Sequence, residues 1–281
     1  MKELILKEGV YQPSVGIDYP TDDPLTKLLP FKNVKNYVFD ENFPYFDKSL
    51  KFRLNHAVAH FIVHCPLYIV NKLKYGMRYR GRDVLRGYKS QFKNGIITVC
   101  NHCYRLDGAA IAQLLHHDLW TPMLKEHING EDSWSLRHFG GIPVPDTRAA
   151  MAKFNEAFDE IHERKGWINV FAEGRRWSFY KPLKPFMKGA FTMAYKYNVP
   201  IVPVCITFRE RKGIYKYLGP KNEPLMTITA GHPIFPDRNN RRNLEVDRLL
   251  HLTHATICEM AGIEQNPWPA FWPNEAEVQR G

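Results

Sequence analysis

One stretch constrains this chain more than any other: Ile96-Ile97-Thr98-Val99-Cys100-Asn101-His102-Cys103-Tyr104-Arg105-Leu106-Asp107. Five residues of strand character run straight into a polar turn. The run from Asp107 to Leu115 then carries Ala109, Ala110, Ile111, Leu114 and Leu115 at helical spacing, with Asp107 suited to an N-cap. A strand that ends in a turn and feeds a helix sets its turn at the mouth of an open α/β sheet, where ligands usually bind. Histidine takes a proton near neutral pH more readily than other side chains, and a carboxylate can fix its tautomer. His102 is therefore a candidate general base, oriented by Asp107. The spacing alone does not establish this, because His127/Asp132 and His232/Asp237 repeat it. Five residues of helix also turn about 500°, so the pair meets only if the backbone bends. The plainer reading of the pair alone is a cap and an ordinary turn histidine.

The rest of the chain follows the same rhythm. Strands are expected at 119–125, 167–171, 200–208 and 225–230. Helices are expected after Asp146 or Thr147 (apolar Met151, Phe154, Phe158 and Ile161), over 188–198 and over 244–261. Residues 140–145 read as a turn-rich segment. Strands alternating with helices predict an α/β sheet covered on both faces. A length of 281 residues suits one large domain with an appendage. Residues 1–50, with five prolines and short aromatic runs, predict an irregular N-terminal arm.

Residues 54–71 lack Asp, Glu, Lys and Arg. Three histidines, two asparagines and Pro66 make the stretch a poor membrane span. As a helix it is two-faced: Leu54, Val58, Phe61, Ile62, Cys65 and Ile69 share one side, and His56, His60 and His64 line another. Lys72, Lys74, Arg78, Arg80, Arg82 and Arg86 follow. Such a segment suits either a helix in the membrane interface or one docked on the protein's own core. With no acidic or thiol ligand on its own face, the histidine stripe is not expected to hold a metal. Cys100-x-x-Cys103 lacks a second ligand pair at comparable spacing, so neither zinc nor redox use is expected of it. The five scattered cysteines and the absence of a signal peptide fit a reducing compartment.

The formal charge of +10 favours an anionic partner: a phosphate-bearing small molecule, an anionic membrane or nucleic acid. A second strand end, Phe171-Ala172-Glu173-Gly174-Arg175-Arg176, concentrates that charge where two guanidiniums could fork onto phosphate oxygens. Lys181, Lys184 and Lys188 extend the basic run. A solvated basic loop, with Glu173 in a structural ion pair, is the plainer alternative.

The order of these pieces carries more than any one of them. Asn101-His102 with Asp107, Gly141-Ile142 ahead of Arg148, Phe171-Ala172-Glu173-Gly174-Arg175-Arg176, and Val199-Pro200-Ile201-Val202-Pro203-Val204 together resemble the four ordered blocks of the glycerolipid acyltransferase superfamily. Its best-known members are the 1-acylglycerol-3-phosphate (lysophosphatidate) acyltransferases. The resemblance covers about residues 75–235 and singles out His102 from the other two pairs. It departs from the family in the third block, where Ala172 and Arg175 replace proline and threonine, and in a stretched second block.

The resemblance implies a mixed, largely parallel central sheet flanked by helices. The expected organisation is an irregular N-terminal arm at 1–50, an amphipathic membrane-interface helix at 51–75 and a catalytic domain at 76–281. It implies transfer of an acyl chain from acyl-CoA or acyl-ACP to the hydroxyl of a lysophospholipid, foremost 1-acylglycerol 3-phosphate, giving phosphatidate. His102 and Asp107 would be catalytic; Asn101, Arg148, Glu173, Gly174, Arg175 and Arg176 would bind substrate. No metal or other cofactor is implied beyond the acyl thioester co-substrate. The expected partners are the lipid acceptor and a membrane surface bound monotopically at its cytoplasmic face, with no nucleic acid. Alternatives are an acyltransferase acting on glycerol 3-phosphate or another lysolipid, including amino-acid-based lysolipids, and a non-catalytic basic protein of the membrane surface or of nucleic acid. A serine hydrolase is disfavoured by the lack of a Gly-x-Ser-x-Gly elbow.

Overall fold

The computed structural model describes residues 11–28 and 37–271. Its helices are α1 (Leu50–His64), α2 (Pro66–Leu73), α3 (Arg82–Gly87), α4 (Asp107–Leu115), α5 (Lys125–Ile128), α6 (Ser133–His138), α7 (Arg148–Glu163), α8 (Gly189–Tyr197) and α9 (Arg242–Met260). Its strands are β1 (Arg78–Arg80), β2 (Ile97–Cys100), β3 (Leu119–Met123), β4 (Gly141–Pro143), β5 (Trp167–Val170), β6 (Ile201–Arg209) and β7 (Leu225–Ala230). They form one seven-stranded sheet in the order β1-β7-β6-β2-β5-β3-β4. All neighbours are parallel except β6 and β7. The expected mixed, largely parallel sheet with flanking helices is the fold observed.

The central strands owe their place to composition. Every residue of β2 and β7 is buried, as is β6 up to Phe208, because helices cover both faces of the sheet. Thr98 is a polar exception on β2, and its hydroxyl donates to Asn169 Oδ1 on β5 at 2.9 Å. One core lies on the α8–α9 side around Phe158, Phe191, Leu249 and Ile257. The other lies on the α4 side around Ile111, Leu114, Ile206 and Ile228.

Several sequence expectations need correction. Pro66 splits the 54–71 stretch into α1 and α2, since its ring and missing N–H fit the first turn of a helix but not the interior. Residues 141–143, read as turn, pair with β3 as an edge strand. β1, hidden in the basic run after α2, joins the sheet beside β7. The arm proposed over 1–50 lies partly outside the described residues, at 1–10 and 29–36. Its described part, up to the start of α1, is irregular, yet Phe39 and Tyr45 are buried in the core. No described helix is long and apolar enough to cross a membrane.

The inner face of α1 is the histidine side. His60 is buried with Phe52, Ala59 and Val63, whereas Leu54 and Phe61 are 60% and 64% exposed. The apolar stripe continues outward along α2 through Ile69 and Leu73.

Gly81 joins β1 to α3 at φ +83°, and a Cβ there would stand 2.1 Å from the Ala230 carbonyl oxygen at the end of β7. Gly81→Ala is expected to destabilise the fold by at least about 2 kcal/mol through backbone strain and displacement of the β7 end. Gly189→Ala, with open space at the start of α8, should leave stability unchanged or raise it. Urea unfolding midpoints compare the two.

Candidate active site

The turn after β2 leaves consecutive backbone N–H groups without strand partners, and carboxylates answer them. His102 N donates to Glu173 Oε1 at 2.6 Å, while Cys103 N and Tyr104 N donate to Asp107 Oδ2 at 2.9 and 3.0 Å. Asp107 therefore caps the turn that precedes α4, and the helix N-cap position is Leu106. The bend brings His102 Nδ1 to 3.0 Å from the same Asp107 oxygen. The predicted pair does meet. Its carboxylate is 1% exposed and the imidazole side chain 16%.

The imidazole lies against Phe171, ring centroids 4.1 Å apart and planes 19° from parallel. Burial lowers the His102 pKa, and the Asp107 hydrogen bond opposes that shift; burial prevails. With Nδ1 hydrogen-bonded to a carboxylate, the tautomer assigned by this network carries its lone pair on Nε2.

Asn101 faces away from the ring. Its amide donates to Ile206 O at 2.9 Å and accepts from Ile206 N at 2.8 Å, imitating one more rung between β2 and β6. Asn101, expected to bind substrate, clamps the strand end with its amide while the backbone turns off. That geometry is what allows His102 N to reach across to Glu173.

The second strand end lies alongside the first, since β5 pairs with β2 in parallel. Glu173 is 3% exposed, and its second oxygen accepts Lys184 N at 3.0 Å. Both carboxylate oxygens thus hold backbone, one on each side of the site. Burial pushes the Glu173 carboxyl up, and the Lys184 charge opposes this. Gly174 turns the chain at φ +72°, a conformation that favours glycine. Arg175 Nη1 and Arg176 Nε are buried without a hydrogen-bond partner among the described residues. Arg176 is close enough for its charge to disfavour protonation of His102.

Lys184 does not thicken an open positive field as its place in the basic run implied. It is fully buried, with Nζ donating to Pro24 O at 3.2 Å and Arg175 O at 2.5 Å beside the Trp177 ring. Lys188 pairs with Asp247 at 3.1 Å. The segment 177–187 is laced to both strand ends: Trp177 N donates to His102 O, Phe179 N to Cys103 O, and Met187 N to Ala172 O. The N-terminal arm closes over it through Trp177 Nε1 to Thr26 O at 2.9 Å and Tyr19 OH to Ser178 O at 2.6 Å.

Arg148 is exposed at the start of α7. It follows β4, the edge strand three positions from β2 in the sheet. The structure therefore gathers His102, Asp107, Glu173, Gly174, Arg175 and Arg176 and leaves Arg148 at the rim. It also adds His127, passed over in the sequence as one of the repeated pairs. His127 lies in α5, just past β3, which pairs with β5; burial brings its pKa down to about 4, with the nearby charges of His102 and Arg176 adding. Its position just past a strand end at the same sheet edge is the signal that could have found it. Cys100 and Cys103 are buried free thiols pushed well above their usual pKa by burial.

A polar strand-end site with an imidazole base and orphaned guanidinium donors suits proton removal beside an anionic group. Among solved structures the chain is similar to the crystal structure of the 1-acyl-sn-glycerophosphate (LPA) acyltransferase, PlsC, from Thermotoga maritima. That likeness has 16% identity and a TM-score of 0.41, over 76% of this chain and 98% of the other. No curated protein matches the sequence. The family model described as Acyltransferase matches residues 76–207, a span from just before β1 into β6 that contains every residue of this strand-end site. Over residues 76–207 the chain thus carries a domain that matches the acyltransferase family.

Proposed function

We propose that this protein moves an acyl chain from acyl-CoA or acyl-ACP to the hydroxyl of a lysophospholipid, foremost 1-acylglycerol 3-phosphate, giving phosphatidate. The observation that carries this reading is the His102–Asp107 pair beside buried, unanswered guanidinium donors of Arg175 and Arg176. His102 Nε2 takes the acceptor's hydroxyl proton as the oxygen attacks the thioester carbonyl. The tetrahedral intermediate collapses with cleavage of the C–S bond, and the imidazolium returns its proton to the departing thiolate. Asp107 orients the ring and stabilises the imidazolium. A thiol of pKa about 8.5, by analogy with cysteine, leaves readily, so no covalent enzyme intermediate is needed.

Positioning matters as much as the base, because general-base catalysis typically supplies about 10²–10⁴-fold. Arg176 and Arg175 bind the acceptor phosphate, which restores the hydrogen bonds their buried nitrogens lack. Arg148 meets the outer part of the headgroup. Glu173 and Gly174 shape the pocket through the backbone they hold, and Asn101 acts through the strand end.

The acceptor and product are lipids, and the outward apolar stripe of α1 and α2 is the surface that suits a bilayer. Leu50, Leu54, Val58, Phe61, Ile69 and Leu73 are exposed on it. Lys51, Arg53, Lys72 and Lys74 lie within or beside the same helices, as anionic headgroups require. The protein then works as a peripheral or monotopic enzyme at the cytoplasmic face of the membrane.

His102→Gln should abolish acyl transfer from acyl-CoA to 1-acylglycerol 3-phosphate while circular dichroism stays unchanged; appreciable turnover would remove His102 as the base. Because burial favours the neutral imidazole, the base is present at pH 7. Wild-type kcat/KM should fall on acidification with an apparent pKa below 6.5, and an acid limb above that value contradicts the assignment. Arg176→Ala should raise KM for the phosphorylated acceptor about tenfold or more, as expected for loss of a charge-assisted contact. The same assay with glycerol 3-phosphate and amino-acid-based lysolipids identifies the acceptor by mass spectrometry of the product. Two exposed apolar side chains contribute about 3 kcal/mol on entering a bilayer. Leu54→Asp with Phe61→Asp should therefore weaken flotation with phosphatidylglycerol vesicles about 100-fold; unchanged flotation would leave α1 without a membrane role.

A further inference from the structure

The sheet has a second cluster of reactive side chains, at the end opposite His102. Asp118 immediately precedes β3 and so sits where the parallel strands begin. The inward face of α1 presents His56, His60 and His64 to it. His60 Nδ1 is 2.7 Å from Asp118 Oδ1, His56 Nε2 is 3.9 Å from Asp118 Oδ2, and His64 Nε2 is 3.7 Å from Asp118 Oδ1. One ligand atom each from His56, His60 and Asp118 falls within 4.8 Å of the others. Read along the sequence, the histidine stripe lacked an acid; the fold brings one from 54 residues beyond His64.

We propose that His56, His60 and Asp118 bind a zinc-class divalent transition-metal ion, with His64 or a water as the fourth ligand. Two imidazoles and a carboxylate are donors suited to such ions, and far less to magnesium or calcium. Tetrahedral bonds of about 2.1 Å put ligand atoms about 3.4 Å apart, and one ligand atom from each of the three residues already lies within 4.8 Å of the others, so a small adjustment closes the site. His56 and His60 are one helical turn apart, the spacing that turns two imidazoles toward one ion.

Two further observations point to a ligand. His60 is 6% exposed, and neither ring nitrogen makes a well-directed hydrogen bond among the described residues, although Asp118 stands beside Nδ1. A buried imidazole left in that state costs about 1–3 kcal/mol, which coordination of Nδ1 would offset. The other ring nitrogen of His56, Nδ1, is 2.8 Å from His138 O. A proton on that nitrogen turns the lone pair of Nε2 toward Asp118, the arrangement that orients metal-ligating histidines. The rings are also held: His56 stacks on Trp120 at 5.1 Å and 13°, and His60 lies 4.9 Å from Phe139. An ion there would fasten α1, whose opposite face is the exposed apolar stripe, to the start of β3. This site is independent of the acyl-transfer reading.

Full-length protein stripped with a chelator and titrated with Zn²⁺ is expected to take up about one equivalent at this site and to melt at a higher temperature. Its Co²⁺ form should show ligand-field absorption in the visible without a thiolate charge-transfer band. Loss of a second-shell partner alone lowers affinity about 10–100-fold, so loss of a ligand in Asp118→Asn or His60→Gln should reach about 100-fold or more. His232→Gln, at an exposed histidine elsewhere, should bind as the wild type does. Excess Mg²⁺ should not displace the ion. Wild-type protein that retains no Zn²⁺ overturns the proposal, as does Asp118→Asn binding with wild-type stoichiometry and affinity. Asp118 is half exposed, so that variant remains informative even if His60→Gln does not fold.

Discussion

Three consecutive backbone N–H groups, at residues 102, 103 and 104, are satisfied by two buried carboxylates, and the site depends on that arrangement. A strand end gives up its ladder partners when the chain turns away, and amides left unpaired in a buried place cost about 1–3 kcal/mol each. Asp107 answers two of them from four and three residues downstream; Glu173 answers the third from another strand end. Because Asp107 is already fixed by the turn, the His102 imidazole meets a preorganised acceptor. The orientation of the ring thus follows from satisfying the backbone around it.

Glu173 couples the two halves of the site. One oxygen holds His102 N and the other holds Lys184 N, so the turn after β2 and the segment after β5 share one carboxylate. Lys184 supplies the nearby positive charge, and its ammonium is held in turn by carbonyls of Pro24 and Arg175. The described part of the N-terminal arm thereby becomes a wall of the active-site region, with Trp177 and Tyr180 packed beside Tyr19. Arg175 and Arg176 keep buried donors unanswered within this framework, where a phosphate would find them already desolvated.

At the opposite end of the sheet, α1 turns unlike faces inward and outward. Hydrophobic patterning leads one to expect leucines inward and histidines outward. The observed orientation is the reverse, with His60 buried and Leu54, Val58 and Phe61 exposed. Such an arrangement leaves only part of the helix's apolar surface, Phe52, Ala59 and Val63, packed inward. Buried Phe52, Ala59 and Val63, aromatic contacts of Phe52 and His56 with Trp120, and the approach of the histidines to Asp118 hold it.

The sequence by itself determined the central alternation of strands and helices through local periodicity, though not the edge strands β1 and β4, and the α4 boundaries follow directly from its apolar spacing. It also marked both strand ends of the site, since a polar turn after a buried strand is visible in one dimension. Tertiary structure decided what those residues touch. Asn101 lies next to His102 yet serves β6; Lys184 lies in a basic run yet is buried; His127 joins the site because β3 runs beside β5. Asp118 reaches a histidine stripe more than fifty residues away. In each case the partner is set by the tertiary fold, and no spacing along the chain records which backbone amide or imidazole a carboxylate will face once the sheet has formed.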